Sequence, residues 1–66
     1  MIVLNGQPRE LGEQTLAAAL AELDVAPDAR GVAVAVDGEV VPRAAWEGLE
    51  LHDGARVEVL TAMQGG

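Results

Sequence analysis

The chain has 66 residues, half of them apolar, with a single aromatic side chain and a formal net charge of −7. It contains no cysteine, lysine or serine, which excludes disulfides, cysteine-based metal sites, side-chain persulfides and thioesters, Schiff bases and serine nucleophiles. Eleven acidic residues against four arginines would be repelled by a phosphate backbone, which argues against nucleic-acid binding.

The first element is a short β-type run, Ile2-Val3-Leu4. Asn5-Gly6 follows, a two-residue hairpin signal because both residues tolerate positive φ. Residues Pro8 to Leu11 return as a second strand until Gly12 breaks the pattern. Thr15 to Leu23 reads as a helix. Leu16, Leu20 and Leu23 fall at i, i+4 and i+7, with Ala19 beside them, and form one apolar stripe. Thr15 is placed to cap its N-terminus. A helix of nine residues is marginal alone and must pack on a sheet. Pro27 and Gly31 mark the next loop.

Val32 to Val36 is the clearest strand. Its valines share one face and Ala33 and Ala35 the other, so the strand suits a central or well-covered position. Asp37-Gly38 is a second hairpin signal. Glu39-Val40-Val41 returns, and Pro42 ends the pairing. Arg43 to Leu51 reads as a short turn of helix and an irregular stretch, with Trp46 and Leu49 spaced to close one end of the core. His52 to Ala55 is a turn, and Arg56 to Thr61 is the last strand, with Val57 and Val59 on one face and Arg56 and Glu58 on the other.

The order is hairpin, helix, hairpin, short helical turn, strand. If the first and last strands lie side by side, the sheet wraps the single helix, which is the α+β arrangement called the β-grasp. The expected sheet is mixed, with about five short strands. Other small α+β folds share the pattern. Residues 1–61 form the expected single domain, and 62–66, which lack periodicity, read as a flexible tail. A domain this small buries roughly 60% of its unfolded surface, here with Leu, Val, Ile and Ala supplying nearly all the core. No apolar run approaches the roughly 20 residues of a membrane span. No basic segment with a following apolar stretch opens the chain, so the cytoplasm is the expected location.

His52 is the only histidine, and its neighbours Asp53 and Gly54 make it an exposed turn residue rather than a catalytic one. No acidic pair stands out as an acid–base couple, and no glycine cluster forms a phosphate-binding loop. Thr15 and Thr61 are the only hydroxyl side chains, each with a structural role at hand. Trp46 is read as closing the core, with a partner anchor as the alternative. The acidic surface either keeps the protein in solution or steers it toward basic partners.

The C-terminus remains. Terminal glycines are often mere fraying, but Gly-Gly also has specific uses. Without Cβ atoms the tail can enter a narrow channel, and its last carbonyl carbon is open to attack from either face. Residues 62–66 span roughly 16 Å when extended. The carboxylate, with an ordinary pKa of about 3.5, is ionised near neutrality and a poor electrophile. Another protein must activate it, for example as an acyl-adenylate.

Several segments together carry a family resemblance: Ile2-Val3-Leu4-Asn5-Gly6, Thr15-Leu16, Ala33-Val34-Ala35-Val36-Asp37-Gly38, Val41-Pro42-Arg43 with Trp46 three residues on, Asp53-Gly54 and the ending Gln64-Gly65-Gly66. Over essentially its whole length the sequence resembles the ThiS family, the ubiquitin-like sulfur carrier proteins of thiamine biosynthesis. The resemblance implies a β-grasp fold and a carrier that is a co-substrate rather than an enzyme. Gly66 is then the site of adenylylation and thiocarboxylate formation, Gly65 gives access, and Gln64 and Met63 contact the partner's channel. The implied partners are an E1-like adenylyltransferase of ThiF type, which uses ATP, a thiazole synthase of ThiG type and a sulfur donor system. No metal or cofactor is expected on the chain itself. The alternatives are a sulfur carrier for molybdopterin synthesis, a ubiquitin-like modifier forming amide bonds, and a structural β-grasp interaction domain.

Overall fold

The computed structural model describes residues 1–26 and 28–61. Its elements follow in the expected order. Strand β1 (Ile2–Leu4) turns back as β2 (Gln7–Arg9), helix α1 (Leu16–Glu22) crosses over, and β3 (Val32–Val36) turns back as β4 (Glu39–Val41). A 3-10 turn over Arg43–Ala45 leads through an irregular stretch to β5 (Arg56–Thr61). The strands form one mixed sheet in the order β2-β1-β5-β3-β4. The first and last strands do lie side by side, in parallel, with Val3 opposite Arg56 and Leu4 opposite Val57. The β3–β5 pair is antiparallel, from Val32 opposite Thr61 to Val36 opposite Val57. This five-stranded sheet wrapping one helix is the β-grasp.

Both hairpin signals act as their chemistry requires. Asn5 and Gly6 have φ of 50° and 82°, and Asp37 and Gly38 have 52° and 85°. Two consecutive positive φ values match the right-handed twist of the strands they join. The second strand is shorter than the expected Pro8 to Leu11. It pairs through Gln7, Pro8 and Arg9 only, and it lies at the sheet edge, where proline is tolerated because no partner needs its missing N–H.

The helix is bounded by Thr15 and Leu23, the ends of the expected segment, which act as its caps. The Thr15 hydroxyl accepts from the Ala18 N–H at 3.1 Å, satisfying one of the donors left open at a helix start. The same end is stitched to the irregular stretch by Leu16 N–H donating to Leu49 O at 3.0 Å and Leu51 N–H to Gln14 O at 2.8 Å. Thr15→Ala is expected to cost about 1 kcal/mol, with Thr15→Asp close to the parent, as read from the midpoint of urea unfolding. At the other end Asp24 has a φ of 58°. Its N–H donates to Ala21 O, and Val25 N–H donates to Leu20 O. This is a Schellman closure in which aspartate takes the place usually held by glycine.

Ile2 and Leu4 from β1, Leu16, Ala19 and Leu20 from α1, Val34 from β3 and Val57 and Val59 from β5 meet in the core. Trp46, Leu51 and Ala55 complete it. Trp46 is therefore the core-closing residue, 6% exposed, and Leu49 packs against the cluster from the side. Helix α1 covers one face of the sheet, so β3 buries Val34 while Ala33 stays exposed. The sheet centre belongs to β5, whose alternation of buried valines with exposed Arg56 and Glu58 is the pattern of a strand covered on one side only. The all-apolar β3 is internal, flanked by β5 and β4. No helix among the described residues is long and apolar enough to cross a membrane.

Candidate functional site

The predicted site residues Met63, Gln64, Gly65 and Gly66 lie outside the described residues, so the structure bears on them through the element that precedes them. That element is β5, and its last residue, Thr61, is registered opposite Val32. The strand is held on both sides: by β1 through Val3 N–H to Ala55 O and Asn5 N–H to Val57 O, both 2.8 Å, and by β3 along its whole length. Val57 and Val59 anchor it in the core. The terminal segment thus begins from the most internal strand of the sheet.

Around the end of β5 the face turned away from the helix is apolar. The register puts Leu60 beside Ala33, and Val40, Ala35 and Glu58 in one row across β4, β3 and β5. Leu60 and Val40 are 71% and 77% exposed, a large apolar exposure for so small a protein. Glu58 is the carboxylate within this group.

At the opposite end of the sheet lies the main charge cluster among the described residues. The His52 ring places Nε2 2.6 Å from Asp37 Oδ2 and Nδ1 2.8 Å from the Asp53 carbonyl. A carbonyl only accepts, so Nδ1 carries a proton. The carboxylate favours a second proton on Nε2. The hydrogen bond from His52 to Asp37 raises the imidazole pKa above its ordinary value. Asp37 is lowered, first by the Arg56 backbone N–H donating to Oδ1 at 3.0 Å and then by His52. The Met1 amino group donates to Asp53 Oδ1 at 2.6 Å and to Gln14 Oε1 at 3.0 Å. It holds the Asp53 carboxyl below its usual range, while the contact with Asp53 raises the amine. Glu10 reaches the same amine at 4.0 Å.

Both ring nitrogens of His52 are engaged by structural partners, and the side chain is 63% exposed. It is the exposed turn residue expected, with an unexpected structural partner. A raised folded-state pKa contributes stability that is fully present below the unfolded imidazole value of about 6.5 and is lost as pH rises through the folded value. The depressed Asp37 contributes stability present above the ordinary carboxylate range and lost as pH falls through its folded value. Wild-type protein is therefore expected to lose stability relative to His52→Gln as pH rises above the ordinary imidazole value of about 6.5, by a small amount that salt reduces. Urea midpoints across that range, at low and high salt, check it. Parallel curves for the two proteins would remove the pair from the stability account.

A third feature is a groove of about 540 Å³ between α1 and the segment after β4, with Leu20, Val25, Arg43 and Trp46 among its walls. The Arg43 guanidinium lies 4.4 Å from the Trp46 ring centroid and donates to Ala29 O. Trp46 Nε1–H donates to Val41 O at 2.9 Å. These contacts give the Val41-Pro42-Arg43/Trp46 segment a structural role: it closes the core over one flank of the helix. No group of three or more metal-ligating side chains is assembled among the described residues.

Sequence reasoning missed two contacts at the hairpins. The Asn5 and Asp37 side chains both leave their own turns and take a backbone N–H of β5, at Val59 and Arg56 respectively. The available signal was that each turn begins with a residue bearing a short side-chain oxygen; a glycine there would have satisfied φ alone.

Comparison with known proteins agrees with this architecture. The model of the ThiS family matches residues 2–66. The chain is 44% identical over 71 aligned positions to the sulfur carrier protein ThiS of Thermus thermophilus, and all of both chains is covered. It is similar to the crystal structure of the thiamine biosynthesis protein ThiS from Geobacter metallireducens, with 35% identity, a TM-score of 0.73, and coverage of 98% of this chain and 97% of that one. An NMR structure of a thiamine biosynthesis protein from the same organism gives 34% identity and a TM-score of 0.75, covering 98% and 86%. With this fold, a family match that runs to the last glycine and full-length relatives at these identities, the chain belongs to the ThiS family.

Proposed function

We propose that the protein carries sulfur for thiazole formation in thiamine biosynthesis, with the Gly66 carboxylate as the carrying group. The observation that supports this most directly is that the family match includes the terminal glycines, ending at residue 66. The side-chain inventory points the same way, because it offers no thiol, amine or activated hydroxyl to hold the sulfur elsewhere.

The chemistry follows from the carboxylate's poor electrophilicity. One Gly66 oxygen attacks the α-phosphorus of ATP in a partner adenylyltransferase, forming a mixed anhydride and releasing pyrophosphate. A sulfur nucleophile then adds to the carbonyl carbon and AMP leaves, taking the bonding pair and one former carboxylate oxygen. With sulfide as the nucleophile no oxidant or reductant is required, and the product is a thiocarboxylate. Transfer of its sulfur to an acceptor bound by a thiazole synthase, with an oxygen from water or from the acceptor taking the sulfur's place on the carbonyl carbon, returns the carboxylate. The chain's own contribution is steric and positional. Gly65 and Gly66 lack Cβ atoms, and Met63 and Gln64 run through the partner's channel. The folded body docks outside it.

Intact mass tests the proposal. Protein incubated with ATP, the adenylylating partner and sulfide is expected to gain the mass of one sulfur-for-oxygen exchange, located on the C-terminal peptide. An unchanged mass, with partner shown active by pyrophosphate exchange, would reject it. Mass gained by other proteins as amide conjugates would instead indicate a modifier.

A further inference from the structure

We propose that Asn5 is a positioning residue for the sulfur-carrying terminus, acting through β5; this rests on the carrier reading above. The parallel ladder between β1 and β5 runs from Val3 N–H to Ala55 O and then from Asn5 N–H to Val57 O. In a parallel ladder the next bond would take Val59 N–H to the Asn5 carbonyl. The chain cannot make it, because Asn5 has entered the turn at a φ of 50°. The side-chain amide takes the place of that carbonyl. Asn5 Oδ1 accepts from Val59 N–H at 2.8 Å, and Nδ2 donates to Val59 O at 3.4 Å. One side chain thus extends the β1 side of the sheet by a step, to a residue two positions before Thr61 and seven before Gly66.

The energetic case is local. Val59 is buried at 6% exposure, and an N–H there without a partner carries a desolvation cost. With the clamp in place, the two sides of β5 are held to nearly the same point: β3 pairs as far as Thr61, and Asn5 holds the other side to Val59. Without it the β1 side ends at Val57. The direction in which the chain leaves the sheet would then rest on β3 alone. Reactions that depend on a terminal carbonyl being held in one geometry lose rate when it is misplaced, even by changes far from the chemistry.

The structure also supplies its own control. Asp37 makes the same kind of contact from the other hairpin, accepting from Arg56 N–H at 3.0 Å, at the end of β5 remote from the terminus. Both turns accept glycine at their first position, since positive φ is glycine's own territory. Asn5→Gly and Asp37→Gly therefore delete each reach while keeping each turn. Asn5→Asp keeps the acceptor, and aspartate already holds positive φ in this chain at Asp24 and Asp37.

The test combines amide hydrogen exchange with conversion to thiocarboxylate by the adenylylating partner and sulfide. In Asn5→Gly the Val59 amide is expected to exchange about five- to tenfold faster, the effect of one hydrogen bond. The kcat for conversion is expected to fall at least about threefold with KM unchanged, because docking of the body is untouched while placement of the terminus is not. Asn5→Asp should restore both, and Asp37→Gly should speed exchange at Arg56 while leaving kcat alone. Unchanged Val59 exchange, an unchanged kcat in Asn5→Gly, or an equal loss in Asp37→Gly would overturn the proposal. A wild-type chain that gains no sulfur would sink the carrier reading and the kcat claim with it, and the exchange measurement would still decide whether Asn5 holds β5.

Discussion

Removal of Gly65 and Gly66 is expected to abolish sulfur loading completely while leaving the urea midpoint of the domain within error of the parent. The two halves of that expectation have separate causes. Among the described residues, every buried apolar side chain lies between Ile2 and Val59, and the last residue of β5 is Thr61, so the deletion takes nothing from the described core or ladder. The proposed chemistry, however, needs a carboxylate at the right reach. Cutting two residues shortens the terminal segment by roughly 7 Å and ends it in Gln64, whose side chain would crowd a channel suited to glycine. The measurement is intact mass with and without the adenylylating partner, alongside urea unfolding. Sulfur loading that survived the deletion would place the carrying group somewhere other than the C-terminus. Gly66→Ala is the milder companion, keeping length and carboxylate and adding one methyl group; it should load sulfur slowly rather than not at all.

Trp46→Ala carries the largest expected stability loss. The side chain is 6% exposed, donates its indole N–H to Val41 O at 2.9 Å, and lies beneath the Arg43 guanidinium. Truncating a buried tryptophan costs about 3–5 kcal/mol. A domain of this length has a total stability of roughly 3–10 kcal/mol. The variant should therefore be partly or wholly unfolded near room temperature, or show a Tm lowered by on the order of 20 °C. Far-UV circular dichroism reads this without the lost fluorophore. Trp46→Phe separates packing from hydrogen bonding: it keeps most of the ring and removes the indole donor to Val41 O, an expected cost of about 1 kcal/mol. A folded Trp46→Ala protein with an unchanged Tm would show that the tryptophan covers a surface rather than closing a core.

Much of the fold was legible because it is written in local sterics. Asn5-Gly6 and Asp37-Gly38 announce hairpins through their tolerance of positive φ. The leucines at 16, 20 and 23 show a helix face, and Thr15 shows where it starts. Where reading fell short, the deciding contact was distant in sequence or used an unusual residue. The Schellman closure was missed because Asp24 stands where glycine is usual. The second strand was drawn too far, to Leu11, because an edge strand ends where its partner ends and the partner is only three residues long. Trp46 as a core residue was legible from scarcity alone, since a nearly aromatic-free chain gains most by burying its largest side chain.

The candidate site divides in the same way. The expectation that the terminal carboxylate is the working group rests on what the sequence contains and lacks, with no side-chain thiol, amine or serine to take its place, and on the family resemblance carried by segments up to Gln64-Gly65-Gly66. Composition and order determined the element types by themselves, because these depend on residue chemistry and on neighbours a few positions apart. The tertiary structure alone decided that β5 is the central strand, that it runs parallel to β1, and that Asn5 reaches Val59 across 54 positions. Those facts arise from pairing between segments whose separation no local preference encodes, and they fix the strand that precedes the terminal segment.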